Sequence, residues 1–250
     1  MSPVDIIVTL GLVALGSYVQ TLTGFAFGLI VIGSMTLTGM APIATSAVVI
    51  SALSLFNSLC SVWGKQRSIR WPLLWLLLAG SVPTIALGLW LLTVLGDYTG
   101  RLEAGLGALI VACSLLMTWK PAPRTTLAGK GTFVFTGLLS GVMGGLFATS
   151  GPPSAFTLYR QPLPMAEIRA TLQTLFIFTA LIRIGMAIPT GQVNHTTLML
   201  SLAGMPVVFV ATMIARRFRP PVSDEGLRRI AFGLLMLTGF SLMAAGLMAH

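Results

Sequence analysis

Apolar residues along this chain gather into eight blocks, approximately 4 to 38, 42 to 63, 72 to 95, 102 to 119, 131 to 158, 167 to 188, 196 to 215 and 227 to 248. Short stretches carrying charge and proline separate them. A helix needs about 20 apolar residues to cross a ~30 Å hydrocarbon core, and most of the blocks have about that length. Blocks one and five are overlong, and each is interrupted in its middle. The first contains Thr21-Leu22-Thr23-Gly24-Phe25-Ala26-Phe27-Gly28, the second Ala148-Thr149-Ser150-Gly151-Pro152-Pro153. Pro152 and Pro153 cannot continue a helical hydrogen-bond ladder. Each of these blocks is therefore predicted to be a broken helix.

A broken block either crosses the membrane once or returns as a re-entrant hairpin to the side it left, and the loop charges discriminate. With eight crossings, Lys65, Arg67, Arg70, Lys120, Arg124 and Lys130 fall on one side; Arg101, Arg160, Arg169, Arg216, Arg217, Arg219, Arg228 and Arg229 fall on the other. That split gives the positive-inside rule no purchase. With two hairpins, thirteen basic residues share one face, Arg101 stands alone opposite, and Arg183 lies within a span. Excess Lys and Arg in short loops marks the cytoplasmic side. The sequence thus predicts an all-α integral membrane protein of six full spans and two hairpins, with both termini periplasmic beside Asp5, Asp97 and Glu103.

One hairpin plus three crossings make each half odd in its crossings, so related halves, 1–125 and 126–250, must be inverted repeats. At an offset of 125 residues the two breaks overlay, Gly16 meets Gly141, and Met40-Ala41-Pro42-Ile43 meets Met165-Ala166-Glu167-Ile168. The weight rests on this local cluster and on the matching order of segments.

Composition removes the soluble alternatives. The chain is 55% hydrophobic and 8% charged, with a mean hydropathy of +0.92, whereas a soluble domain carries about 25% charged residues. Its net charge of +9 is spread over short loops, as in membrane proteins, so no nucleic-acid partner is expected. No positive n-region or cleavage site marks a removable signal, and the first segment is expected to stay. Cys60 and Cys113 lack metal or redox spacing and read as core residues. Trp63, Trp71, Trp75, Trp90 and Trp119 mostly fall near span ends, where indole rings settle at the headgroup level.

In inverted-repeat transporters broken helices meet near the midplane, and half-helix N-termini offer N–H groups and a positive dipole end to an anion. The two breaks are the matching feature here. Gly24, Gly28 and Gly151 allow close backbone approach, while Thr21, Thr23, Thr149 and Ser150 offer hydroxyls and Gln20 stands just before the first break. Thr23 and Ser150 are the expected donors, with backbone amides supplying most of the coordination. Gly, Ser and Thr are also what close helix packing selects. It is the occurrence of two such segments, at corresponding places, that favours a site.

These motifs make the chain resemble the sulfite exporter TauE/SafE family, also called the toluene sulfonate uptake permease family, over essentially its whole length. The carriers of the resemblance are Gln20 to Gly28 followed by Ala41 to Ser46, and Gly141-Val142-Met143-Gly144-Gly145-Leu146 to Pro153 followed by Ala166 to Thr171. Many members carry denser glycine runs in both motifs than Phe25-Ala26-Phe27 and Ser150-Gly151-Pro152-Pro153 provide. The resemblance implies a bacterial inner-membrane transporter for sulfite, sulfoacetate or other organosulfonates, surrounded by lipid and compatible with a homodimer.

Remaining polar residues refine the site. Arg183, inside the sixth block, either lines the substrate path or snorkels to the periplasmic interface. Glu167 and Arg169 open the same block, where they could pair with each other, gate the site or sit solvated. Gln173 lies near the second motif and is a further candidate ligand; Asn57 reads as a helix-packing residue. No carboxylate lies deep in a span, so proton coupling would fall to Glu103, Glu167 or the anion itself. His195 and His250 are the only histidines, with no G-x-S-x-G motif, so neither catalysis nor a metal or other cofactor is expected. A channel of the same architecture shares every feature argued so far.

Overall fold

The computed structural model describes residues 3–37, 43–95, 99–118 and 124–218, with isolated positions between 226 and 244. The described residues are helical, without strands: α1 (Pro3–Thr23), α2 (Phe27–Leu37), α3 (Ile43–Val62), a 3₁₀ turn (Gln66–Ser68), α4 (Trp71–Val94), α5 (Thr99–Thr118), α6 (Lys130–Phe147), α7 (Gly151–Tyr159), α8 (Met165–Ala187) and α9 (His195–Arg217). Five of these, α3, α4, α6, α8 and α9, are long and apolar enough to cross a membrane. The eighth apolar block, 227 to 248, lies outside the described residues apart from scattered positions, as do Asp97, Trp119 and Lys120.

Both overlong blocks are broken helices. The first stops at Thr23 and restarts at Phe27, with Gly24 at φ +83° and Ala26 at φ +89°. The second stops at Phe147 and restarts at Gly151, across Ala148 at φ +54°. A left-handed non-glycine residue is uncommon, and here one sits in each break. The prolines do not terminate a helix; they lie at the start of α7, after its N-cap Ser150. A proline is tolerated in a first turn, where its missing N–H has no intrahelical partner to lose. Pro83 and Pro206 instead interrupt the ladders of α4 and α9 from within. Asn194 and Thr197 close α9 at its start with a reciprocal capping box.

The closest helix pair is α4 with α6. Gly80 and Gly88 on one helix face Gly137, Gly141 and Gly145 on the other, and a Cβ at any of them would run into opposing backbone. The two helices touch main chain to main chain, as small residues permit in membrane helices. Thr84 hydroxyl donates across the seam to the carbonyl of Leu138 at 2.9 Å.

At one end of the molecule the basic residues converge. Arg70 Nε meets a Glu167 carboxylate oxygen at 2.6 Å, and Arg124 N–H donates to the carbonyl of Arg160 at 2.8 Å. Arg216 caps the end of α3, donating to the carbonyls of Cys60 at 2.6 Å and Trp63 at 3.1 Å. Ala128 N–H reaches Gln161 Oε1 at 2.9 Å. The start of α6 and the end of α7 therefore lie side by side. Buried side chains concentrate around the first break, with Phe25 and Phe27 fully enclosed, while Trp75, Trp90, Phe135 and Phe209 stay exposed on outward faces, as expected of a surface meeting lipid.

Candidate anion site

The two breaks are neighbours. A Cβ on Gly28 would lie 3.0 Å from the Ala148 carbonyl oxygen and 3.1 Å from Thr149 Cβ, and one on Gly151 would lie 3.3 Å from Phe25 Cβ. Tyr159 hydroxyl, at the far end of α7, donates to the carbonyl of Thr23, and its ring meets Phe25 edge-on at 6.1 Å. The tip of the first broken helix thus lies along the whole of α7.

Beside the second break is a small cavity of about 20 Å³ lined by Ser51, Ser54, Ser150, Thr179 and Arg183, with Phe176 among the apolar walls. A water molecule needs ~10–15 Å³ of such space, so it has room for about one. Gly144 clears the space occupied by the Ser150 hydroxyl. Arg183 is 1% exposed. Its Nε donates to the Gly145 carbonyl at 3.2 Å and its Nη1 to Ser51 Oγ at 3.4 Å, while Nη2 has no partner. Among the described residues no carboxylate pairs with it. An isolated buried cation costs several kcal/mol, and among the described residues this one is held without a counter-charge beside the second break. Of the two sequence readings of Arg183, the snorkelling one does not fit its inward orientation.

Outside this cavity the polar groups form a second layer. Gln20 Nε2 reaches Ser58 Oγ at 3.1 Å, Gln173 Oε1 at 3.2 Å and Ser54 Oγ at 3.4 Å. Gln173 Nε2 returns to the Gln20 carbonyl at 3.0 Å, and Ser58 donates to Gln173 Oε1 at 2.8 Å. This clasp joins α1, α3 and α8. Beyond it opens a larger cavity of about 240 Å³, lined by Thr21, Ser61, Lys65, Arg169 and Gln173 with an apolar wall.

Several expected donors have other duties. Thr23 hydroxyl lies 2.7 Å from the Val19 carbonyl and 2.9 Å from that of Phe25; it secures the break and does not line the inner cavity. Gly24 packs against Arg169, whose Cα would lie 3.3 Å from a Cβ there. Thr149 packs on Gly28, and Gly151 on Phe25 and Phe176. The two prolines after Gly151 have no N–H, so the start of α7 offers fewer amides than a half-helix ordinarily would. Side chains must therefore carry more of any coordination than the sequence reading assigned to the backbone. Glu167, which the sequence left to pair with Arg169, gate the site or sit solvated, has Arg70 as an ion-pair partner. Asn57 donates to the Ser17 carbonyl, Thr21 Oγ1 and Thr212 Oγ1, at 2.8 to 3.3 Å, tying α3 to α1 and α9.

Sequence reasoning did not single out the serines of α3. Ser51, Ser54, Ser58 and Ser61 recur at steps of three and four, which puts them on one helix face. That face looks toward α8 and α1 through all the cavities just described.

An all-helical protein with five membrane-capable helices and a buried polar seam between them is a polytopic transport protein in architecture. The family model for the sulfite exporter TauE/SafE matches residues 8–242, and the chain belongs to that family, one of transporters and not of enzymes. It is 39% identical over 244 residues to a probable sulfite/organosulfonate exporter TauE of Cupriavidus necator, covering 96% of this chain and 95% of that protein. It is 29% identical over 177 residues to a probable inner membrane transporter protein TsaS of Comamonas testosteroni, covering 70% and 73%. No solved structure matches.

Proposed function

We propose that this chain is a secondary carrier in the bacterial inner membrane that binds a small sulfur oxyanion or organosulfonate between the two helix breaks. The observation that carries the reading is Arg183, fully buried, with one terminal nitrogen unpartnered, beside Ser150 in a cavity that offers no negative charge. A planar guanidinium can hold two sulfonate oxygens at once, and an arriving anion supplies the compensation that the site lacks. Gln20, Gln173 and the α3 serines line the approach. Lipid surrounds the protein, and neither metal nor cofactor enters the scheme.

In this reading 1–125 and 126–250 are inverted repeats, each a re-entrant hairpin followed by three spans. Element order supports it: α1, α2, α3 and α4 have counterparts in α6, α7, α8 and α9, and α4 and α9 each carry an internal proline near mid-helix, Pro83 and Pro206. Eight crossings would also put Arg70 and Glu167, or Arg124 and Arg160, on opposite sides of the bilayer, yet each pair is in contact. The basic end is then cytoplasmic and both termini periplasmic.

A carrier is favoured over a channel because the inner cavity has room for only about one water and is closed from the larger one by the Gln20–Gln173 clasp. The test is counterflow of labelled sulfite and labelled ethanesulfonate in proteoliposomes. Saturable exchange, abolished in Arg183→Gln, is expected; unsaturable flux indifferent to unlabelled anion would overturn the carrier assignment.

A further inference from the structure

The larger cavity is a site in its own right. We infer that Lys65 and Arg169 form a second anion-binding station at the basic end of the molecule, one that receives a short-chain organosulfonate on its way to or from Arg183; the inference rests on the carrier reading above. Its lining holds two basic residues and no carboxylate, with Thr21 and Ser61, whose hydroxyls lie 3.3 Å apart, on the same wall. Val62, Met165 and Ala170 make an apolar wall on the same cavity. Paired cationic and apolar surfaces suit a ligand with a charged head and a few carbons better than a bare oxyanion. At about 240 Å³ the space is an order of magnitude larger than the cavity at Arg183, about 20 Å³.

Position makes it a station and not an isolated pocket. Gln173 lines the outer cavity and bonds Gln20, and Gln20 bonds Ser54, which lines the inner one. A chain of amide and hydroxyl hydrogen bonds links the two linings. Its bonds are between neutral groups, each of which can exchange one neutral partner for another. Along α8 the groups follow in order: Arg169, Gln173, Thr179, Arg183.

A clean probe pair exists in two thiol reagents with the same methanethiosulfonate warhead, one bearing a sulfonatoethyl group and the other a trimethylammonioethyl group. Each reacts with a thiolate to form a mixed disulfide and release methanesulfinate. They are applied to Ser61→Cys, and separately to Thr21→Cys, in full-length protein whose Cys60 and Cys113 are replaced by alanine. A cleft lined by one sign of charge raises local counter-ion concentration by ~10-fold or more. We expect the sulfonate reagent to react on the order of tenfold faster, ethanesulfonate to slow it, and Lys65→Gln with Arg169→Gln to erase the preference. Equal rates, or protection by phosphatidylglycerol in mixed micelles but not by ethanesulfonate, would overturn the station. The preference should survive Arg183→Gln. Failure of the carrier reading is a separate result: unsaturable flux indifferent to unlabelled anion, with the labelling preference intact.

Discussion

Replacing Arg183 separates a ligand from a structural arginine, because the two predict opposite signs for stability. Its side chain makes two hydrogen bonds, to Gly145 O and Ser51 Oγ, at the long distances of 3.2 and 3.4 Å, and leaves Nη2 unmatched. Bonds from a charged donor are worth ~1.5–3 kcal/mol each when well formed, and these are at the weak end. Against them stands the burial of a cation with no counter-ion, a penalty of several kcal/mol. For Arg183→Met the two nearly cancel, so the ligand-free variant should melt within a few degrees of the parent or above it. Anion binding should suffer far more. Truncating one partner of a buried charge pair costs ~2–5 kcal/mol, or about 30- to 3,000-fold in affinity at 1.4 kcal/mol per decade. Bound anion at 100 times Kd stabilises the parent by ~2.7 kcal/mol, and that ligand-induced rise in melting temperature should vanish in both Arg183→Met and Arg183→Lys, since lysine keeps the charge without the bidentate fork. The assay is a thermal scan of detergent-solubilised protein with and without sulfite or ethanesulfonate. A large loss of stability in ligand-free Arg183→Met, together with a normal ligand shift in Arg183→Lys, would refute the reasoning.

Three further outcomes are expected. Ser150→Ala should weaken anion binding by ~1.5–3 kcal/mol, the worth of a hydrogen bond to a charged group, with little change in ligand-free stability, as read by titration calorimetry. Gly141→Val places side-chain atoms where the Ser81 backbone lies, so it should destabilise by at least the ~1–3 kcal/mol of an overpacked core; an unchanged melting temperature would contradict the close seam. A cysteine at Thr125, in a protein lacking Cys60 and Cys113, should react with impermeant maleimide only from the cytoplasmic side, and periplasmic labelling would rule out the hairpins.

The breaks were legible because glycine, proline and hydroxyl residues rarely cluster inside an apolar block, and the run 148–153 restarts as a helix where Pro152 and Pro153 allow it. The direction of Arg183 was not legible, since one arginine in a span says nothing of how that helix is rotated. The local engagement of Thr23 was not legible either: a threonine hydroxyl readily bonds nearby carbonyls, and here it lies against those of Val19 and Phe25. The α3 serines escaped notice because each alone is an ordinary packing residue. Only their common spacing, read against a partner helix carrying Arg169, Gln173 and Arg183, turns them into a lining. Gly141 and Gly145, which the sequence grouped with a ligand motif, serve the contact with α4.

The glycine seam has a mechanical consequence. Two helices that meet through main-chain atoms have no side chains to reshuffle, so α4 and α6 cannot slide past each other by small rotamer steps and must travel as one plank. The serine face of α3, whose hydroxyls can trade partners on α8 and α1, is by contrast a bearing. Since α4 comes from the first half of the chain and α6 from the second, this rigid pair does not coincide with either half. In the carrier proposed above, opening of the path would carry a piece of each half together, with the stroke taken up along α3.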